Sequence, residues 1–96
     1  MLILTRNAGE SIDFKSNVKE LKLYVSTIAN RKAKLEIVNE INFLFSVIGG
    51  KDTTIFLGGI GDVKIVIINV TNNSVCLGIE APKNVNIKRT EIINKR

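Results

Sequence analysis

Ninety-six residues, 45% of them hydrophobic, suffice for one domain with a modest core and give no sign of a linker between two. Fourteen Lys and Arg against nine Asp and Glu leave a formal charge of +5, which favours an anionic partner such as nucleic acid. No histidine, a single cysteine and no paired acids flanking a cleft leave no constellation for acid/base, nucleophilic or metal chemistry, so neither enzyme activity nor a cofactor is expected.

Leu2 to Thr5 is a short apolar run followed by Arg6, and Asn7-Ala8-Gly9 supplies turn residues, which together predict a first strand entering a turn. Ile12 and Phe14 belong to a second strand. Leu21, Leu23 and Val25 then alternate with Lys22, Tyr24 and Ser26, the period of a half-buried strand. Ala29-Asn30-Arg31-Lys32 reads as a hairpin turn, and Ala33, Leu35 and Ile37 carry the alternation back. Asn42 to Ile48, rich in Phe and Val, is a further strand. Gly49-Gly50-Lys51-Asp52 and Gly58-Gly59-Ile60-Gly61-Asp62 suit turns rather than a phosphate cradle, because neither has Walker spacing or a helical pattern behind it.

The hairpin recurs at Val63 to Ile79, with Thr71-Asn72-Asn73-Ser74 as its polar turn and Cys76 as a structural residue of its return strand. A shift of 42 residues without a gap places Phe14 on Phe56, Lys22 on Lys64, Asn30 on Asn72, Leu35 on Leu77, Ile37 on Ile79 and Asn42 on Asn84. Agreement of strand phase and turn position indicates an internal duplication, with tandem units at about 1–48 and 42–96 sharing the strand Asn42 to Ile48. Pro82 stops strand pairing, a last strand runs through Val85, Ile87, Lys88 and Arg89, and the tail from Thr90 to Arg96 has room for about two turns of helix.

The opening MLILTRNAGESI and the later VCLGIEAPKNVNIKRTEI resemble the carbon storage regulator (CsrA/RsmA) family of small bacterial RNA-binding translational regulators. The hallmark strings LILTR and G-x-x-A-P-K stand in order, in blocks from Met1 to about Ile12 and from about Asp62 to Ile92, while Asp13 to Gly61 is much longer than the family's usual connection. The resemblance implies an all-β fold, a small intertwined sheet or barrel. Family members have five strands per chain and pair as homodimers, the first strand of one subunit beside the last strand of the other. The duplication would put that partner in the same chain, as a pseudo-dimer of about nine strands. The alternative is an inserted hairpin in a chain that still dimerises through its ends.

The resemblance further implies an RNA site for GGA-containing hairpin loops, in messenger or small regulatory RNA, and repression by obstructing translation initiation. Carried over by motif position, the site comprises Leu4, Thr5 and Arg6 on the first strand, Ala81 and Pro82 at the turn, and Val85, Ile87, Lys88, Arg89 and Ile92 beyond it. Arg6 and Arg89 would be brought together by pairing of the two terminal strands, as guanidinium donors for phosphate or a guanine edge. Asn7 stands where the family often has a second basic residue, which lowers the expected affinity. At the 42-residue shift Arg89 and Arg6 fall on Val47 and Ile48, and Gly78, Ala81 and Pro82 fall on Glu36, Asn39 and Glu40, so a second site has lost its cations and its turn. Phe43 and Phe45, with Tyr24 and Phe14 elsewhere, favour core or protein contact over base stacking. The rival expectation is therefore a degenerate member that acts by protein interaction, with a paralogous regulator, an assembly factor or an antagonist as partner. With no basic-then-apolar leader and no apolar run near the roughly 18 residues that span a bilayer, a cytoplasmic location is expected.

Overall fold

The computed structural model describes residues 1–17, 19–58 and 62–90, and Thr90 by its backbone alone. Nine strands follow one another: β1 (Leu2–Asn7), β2 (Ser11–Lys15), β3 (Glu20–Ala29), β4 (Lys32–Val38), β5 (Phe43–Gly49), β6 (Thr54–Leu57), β7 (Val63–Val70), β8 (Ser74–Glu80) and β9 (Asn86–Thr90). They form two antiparallel sheets, of order β1-β8-β7-β6 and β5-β4-β3-β2-β9. The expected all-β, nine-strand architecture is present. Thr90 closes β9 instead of opening a helix, and the rest of the expected C-terminal helix lies outside the described residues. Among the described residues no helix is long and apolar enough to cross a membrane.

Period-two patterning puts one side of each sheet into a shared core. Ile12 and Phe14 of β2, Leu23 and Val25 of β3, and Leu35 and Ile37 of β4 are fully buried, as are Ile65 and Ile67 of β7 and Val75 and Leu77 of β8. Burial on this scale, at about 25 cal/mol per Å² of apolar surface, is the main force joining the layers. Polar residues of alternate parity, such as Lys22, Glu36 and Lys64, take the outer faces.

Each sheet borrows strands from both halves of the chain. β1 leaves the four-stranded sheet, turns through Ala8-Gly9-Glu10, and continues as β2 in the other sheet. Gly9 adopts φ of 92°, its N–H donates to the Val25 carbonyl at 2.7 Å, and the Val25 N–H donates to the Glu10 carbonyl at 2.9 Å. The same corner recurs after β5, where Asp52 has φ of 73°, its N–H donates to the Ile67 carbonyl at 2.7 Å, and the Ile67 N–H donates to the Thr53 carbonyl at 2.8 Å. A register shift follows Val25 in the β3–β4 ladder and Ile67 in the β7–β8 ladder. Bulges bend strands and sharpen twist, so the two sheets curve at equivalent places.

The ladders correct the gapless shift. Leu35 and Leu77 are equivalent at a spacing of 42, but they face Val47 and Leu4, which lie 43 apart. Likewise Leu23 and Leu21 face Ile12 and Phe14, whereas their equivalents Ile65 and Val63 face Ile55 and Leu57. Phe14 therefore corresponds to Leu57, and Phe56 corresponds to Asp13 on the outer face; Arg6 corresponds to Gly49, not Ile48. Five residues separate the paired Leu57 and Val63, against six between their equivalents Phe14 and Leu21, and a one-residue slip reverses every face of a strand.

Candidate nucleic-acid interface

The terminal strands do not pair with each other. Among the described residues β1 hydrogen-bonds only to β8, with Leu2 opposite Ile79 and Arg6 opposite Val75, and β9 hydrogen-bonds only to β2, with Arg89 opposite Ile12 and Thr90 opposite Ser11. The two are edge strands of opposite sheets. Because the short corner at Ala8-Gly9-Glu10 passes from β1 directly to β2, the neighbour of β9, both edges lie on one flank of the sandwich. A seam between layers, not a continuous ladder, puts β1 and β9 on the same flank.

Strand parity decides what each side chain does there. Residues opposite one another in an antiparallel pair share a face. Leu4 is thus inward with Leu77, Arg6 inward with Val75, and Thr5 outward with Cys76. Leu4 is half-buried and packs on the core, while Thr5 is exposed. Arg6, only 4% exposed, is not a solvent-facing anchor. Its Nε donates to the Thr5 carbonyl at 2.9 Å and lies 3.6 Å from Glu10 Oε1, which also accepts the Asn7 N–H at 2.7 Å. Arg6 and Glu10 together hold the β1–β2 corner.

On the other strand, Ile87 shares the inward face with Phe14 and packs on the core, and Arg89 follows it on the same face beside Ile12. At a sheet edge that face opens to solvent, and Arg89 is exposed. Lys88 points outward opposite Asp13, whose other neighbour, Lys22, forms an ion pair at 3.5 Å. Lys15, of the same parity as Asp13, is also exposed there. In the linker Ala81 is half-buried against the core, Pro82 is exposed, and the buried Val85 donates its N–H to the Pro82 carbonyl at 3.1 Å. That turn places Lys83 in solvent. Ile92 lies outside the described residues.

The flank therefore collects exposed Lys83, Lys88 and Arg89 beside apolar supports Leu4, Ala81, Val85 and Ile87. Lys15, Lys22 and Lys83 were not singled out from the sequence. Once the β2–β3 register is drawn, Lys15 and Lys22 fall on the Lys88 face, so the signal was parity. Flexible cations around an extended edge can engage phosphates, and the outer edges of β1 and β9, which join no further strand among the described residues, can meet unstacked bases. Among the described residues no group of three or more His, Cys, Asp or Glu converges as a metal site.

The opposite flank differs. It is formed by β5 and β6, linked through Gly50-Lys51-Asp52-Thr53. Nothing among the described residues pairs with the outer edge of β6, so β5 serves only as the twin of β1 and not as the twin of β9 as well. Its β5 strand exposes Phe43, Leu44, Phe45 and Ile48, and the turn that follows exposes Lys51.

Residues 51–96 match the model of a family described as the global regulator protein family, CsrA. The match takes in β6 to β9 and includes residues 51–61, outside the two motif blocks read from sequence. Neither the curated proteins nor the solved structures compared with the chain give a significant match.

Proposed function

We propose, for a chain that is a member of the CsrA/RsmA family of global regulators through residues 51–96, that it is a cytoplasmic RNA-binding post-transcriptional regulator with one RNA site per chain. The site is the β1/β9 seam, its targets are GGA-containing hairpin loops in messenger leaders or small regulatory RNAs, and its effect is to obstruct translation initiation. The observation that carries this function is the asymmetry of the flanks. Lys83, Lys88 and Arg89 are exposed around β9, whereas the flank of β5 and β6 has no strand equivalent to β9 among the described residues and exposes Phe43 and Phe45 along β5, with Lys51 in its turn.

Arg89 and Lys88 are the exposed cations for phosphate and base edges. Thr5 and Pro82 offer exposed rims, Leu4, Ala81, Val85 and Ile87 support the seam from beneath, and Arg6 positions the β1 edge. Ile92 joins the site by motif position only. Repetition of β1 to β4 as β5 to β8, with β9 added at the edge of β2, makes the chain its own pseudo-dimer. The test is titration of a GGA-loop hairpin against a GGA-to-CCA control, with stoichiometry by native mass spectrometry, for the wild type and Arg89→Ala. The expected result is loop-specific binding of one RNA per chain, weakened at least tenfold by the substitution. Equal weak binding of both RNAs, unchanged by Arg89→Ala, refutes it.

A second function, interaction with a protein partner, is favoured by the exposed Phe43, Leu44 and Phe45 on β5.

A further inference from the structure

The two edges β2 and β6 are equivalents with different fates. β2 carries β9 along its edge, antiparallel over five residues, from Ser11 opposite Thr90 to Lys15 opposite Asn86. The four residues of β6, Thr54–Leu57, pair with β7 on one side and, among the described residues, with no strand on the other. A row of backbone N–H and C=O groups at such an edge is a template for another strand.

The layer opposite shapes the vacancy. Ile55 and Leu57, inward on β6, are 5% and 3% exposed, so β6 itself is covered. Phe45, inward on β5 opposite Ile37, is 38% exposed. The five-stranded sheet thus overhangs the four-stranded one by a strand, and Phe45 and Val47 roof a slot whose side wall is β6. A second copy of this sandwich would have to carry its own two-layered edge past the overhanging β5 to reach β6, which a single strand need not do. A lone extended segment can enter.

We propose that this slot binds an extended segment of another protein, four to five residues long and apolar on both faces, by adding it to β6 as a fifth strand. The twin groove dictates the side chains. There β9 sets Lys88 outward against Asp13, and Ile87 and Arg89 inward against Phe14 and Ile12. Here Phe56, 72% exposed, replaces Asp13, so the outward residue is aromatic or aliphatic in place of lysine. The inward residues meet Leu57 and Ile55 beneath Phe45 and Val47, so both are apolar. The inference stands on strand order and does not depend on RNA binding.

The probe is a blocked peptide of residues 84–90 carrying Lys88→Phe and Arg89→Leu, compared with the unaltered peptide. Each is titrated into the full chain by calorimetry, and hydrogen exchange maps the amides it protects. The altered peptide should bind at least tenfold tighter than the unaltered one and slow exchange in β6 at least tenfold, with β1 and β9 unchanged. Phe56→Lys and, from the opposite wall, Phe45→Ser should each weaken it at least tenfold. Both positions are substantially exposed, so circular dichroism should show either variant folded. Equal affinity for the two peptides, indifference to both substitutions, or protection away from β6 overturns the proposal. Dimerisation of the free chain that itself protects β6 also overturns it, by making a second copy the occupant.

Discussion

Replacing Arg6 by alanine separates support of the proposed RNA site from direct contact with RNA. The Arg6 side chain is 5% exposed, Glu10 is 22% exposed, and Arg6 Nε donates to the Thr5 carbonyl at 2.9 Å. A charge-assisted hydrogen bond contributes about 1.5–3 kcal/mol, and breaking a fully buried ion pair costs about 3–5 kcal/mol. Glu10 keeps some access to water and still accepts the Asn7 N–H, so the penalty falls below that upper range. We expect a loss of about 2–3 kcal/mol, a large share of the roughly 5–15 kcal/mol that stabilises an ordinary domain. With a urea slope of about 1.5 kcal/mol/M, the unfolding midpoint should fall by about 1.3–2 M. The exposed Arg89→Ala should stay within about 0.5 kcal/mol of wild type. A double-mutant cycle with Glu10→Gln should give a coupling of about 1 kcal/mol, since the two side chains act on one corner. A midpoint shift below about 0.3 M for Arg6→Ala, or no coupling, would refute a supporting role and restore Arg6 as an RNA contact.

Truncating both Lys88 and Arg89 to alanine should flatten the dependence of log K on log salt by about 1.4 for single-stranded loop RNA, about 0.7 per lost phosphate contact, as read by polarisation titrations at several salt concentrations; an unchanged slope places the phosphate contacts elsewhere. Gly49→Ala should destabilise the fold by more than about 1 kcal/mol in urea, because the added Cβ meets the Thr53 Cγ2 at 2.6 Å and Cβ at 2.8 Å. Asn30 and Arg31 form a two-residue hairpin loop with φ of 55° and 60°, so Arg31→Gly should stabilise by about 0.5–1 kcal/mol in thermal or urea unfolding, by relieving a left-handed conformation at a non-glycine residue.

Local alternation made the strands legible, because period-two sequence and buried parity have the same physical cause. Leu21 to Val25 and Ala33 to Ile37 read as a hairpin and are one. Partner choice over long separations was not legible: nothing within Leu2 to Asn7 specifies β8 over β9 as its neighbour. Arg6 was misjudged through its charge, although its parity with Leu2 and Leu4 already pointed it inward. Phe56 was placed in the wrong phase because a shift without a gap cannot register a connection one residue shorter. Among the site residues Lys88 and Arg89 were readable from the resemblance, while Glu10, which steadies Arg6, is visible only once the corner has closed.

Strand exchange between the sheets also sets a timetable for synthesis. β1 finds its ladder on β8, with Leu2 opposite Ile79 and Asn7 opposite Ser74. Its partner is therefore made roughly 70 residues later, about 4–14 s at ordinary translation rates. During that interval Leu2, Ile3 and Leu4 have no sheet to join, and β2 waits as long for the strand that completes its edge. Such long-range pairing makes folding slow compared with local hairpins. The seam between β1 and β9 can therefore form only after β8 and β9 have left the ribosome.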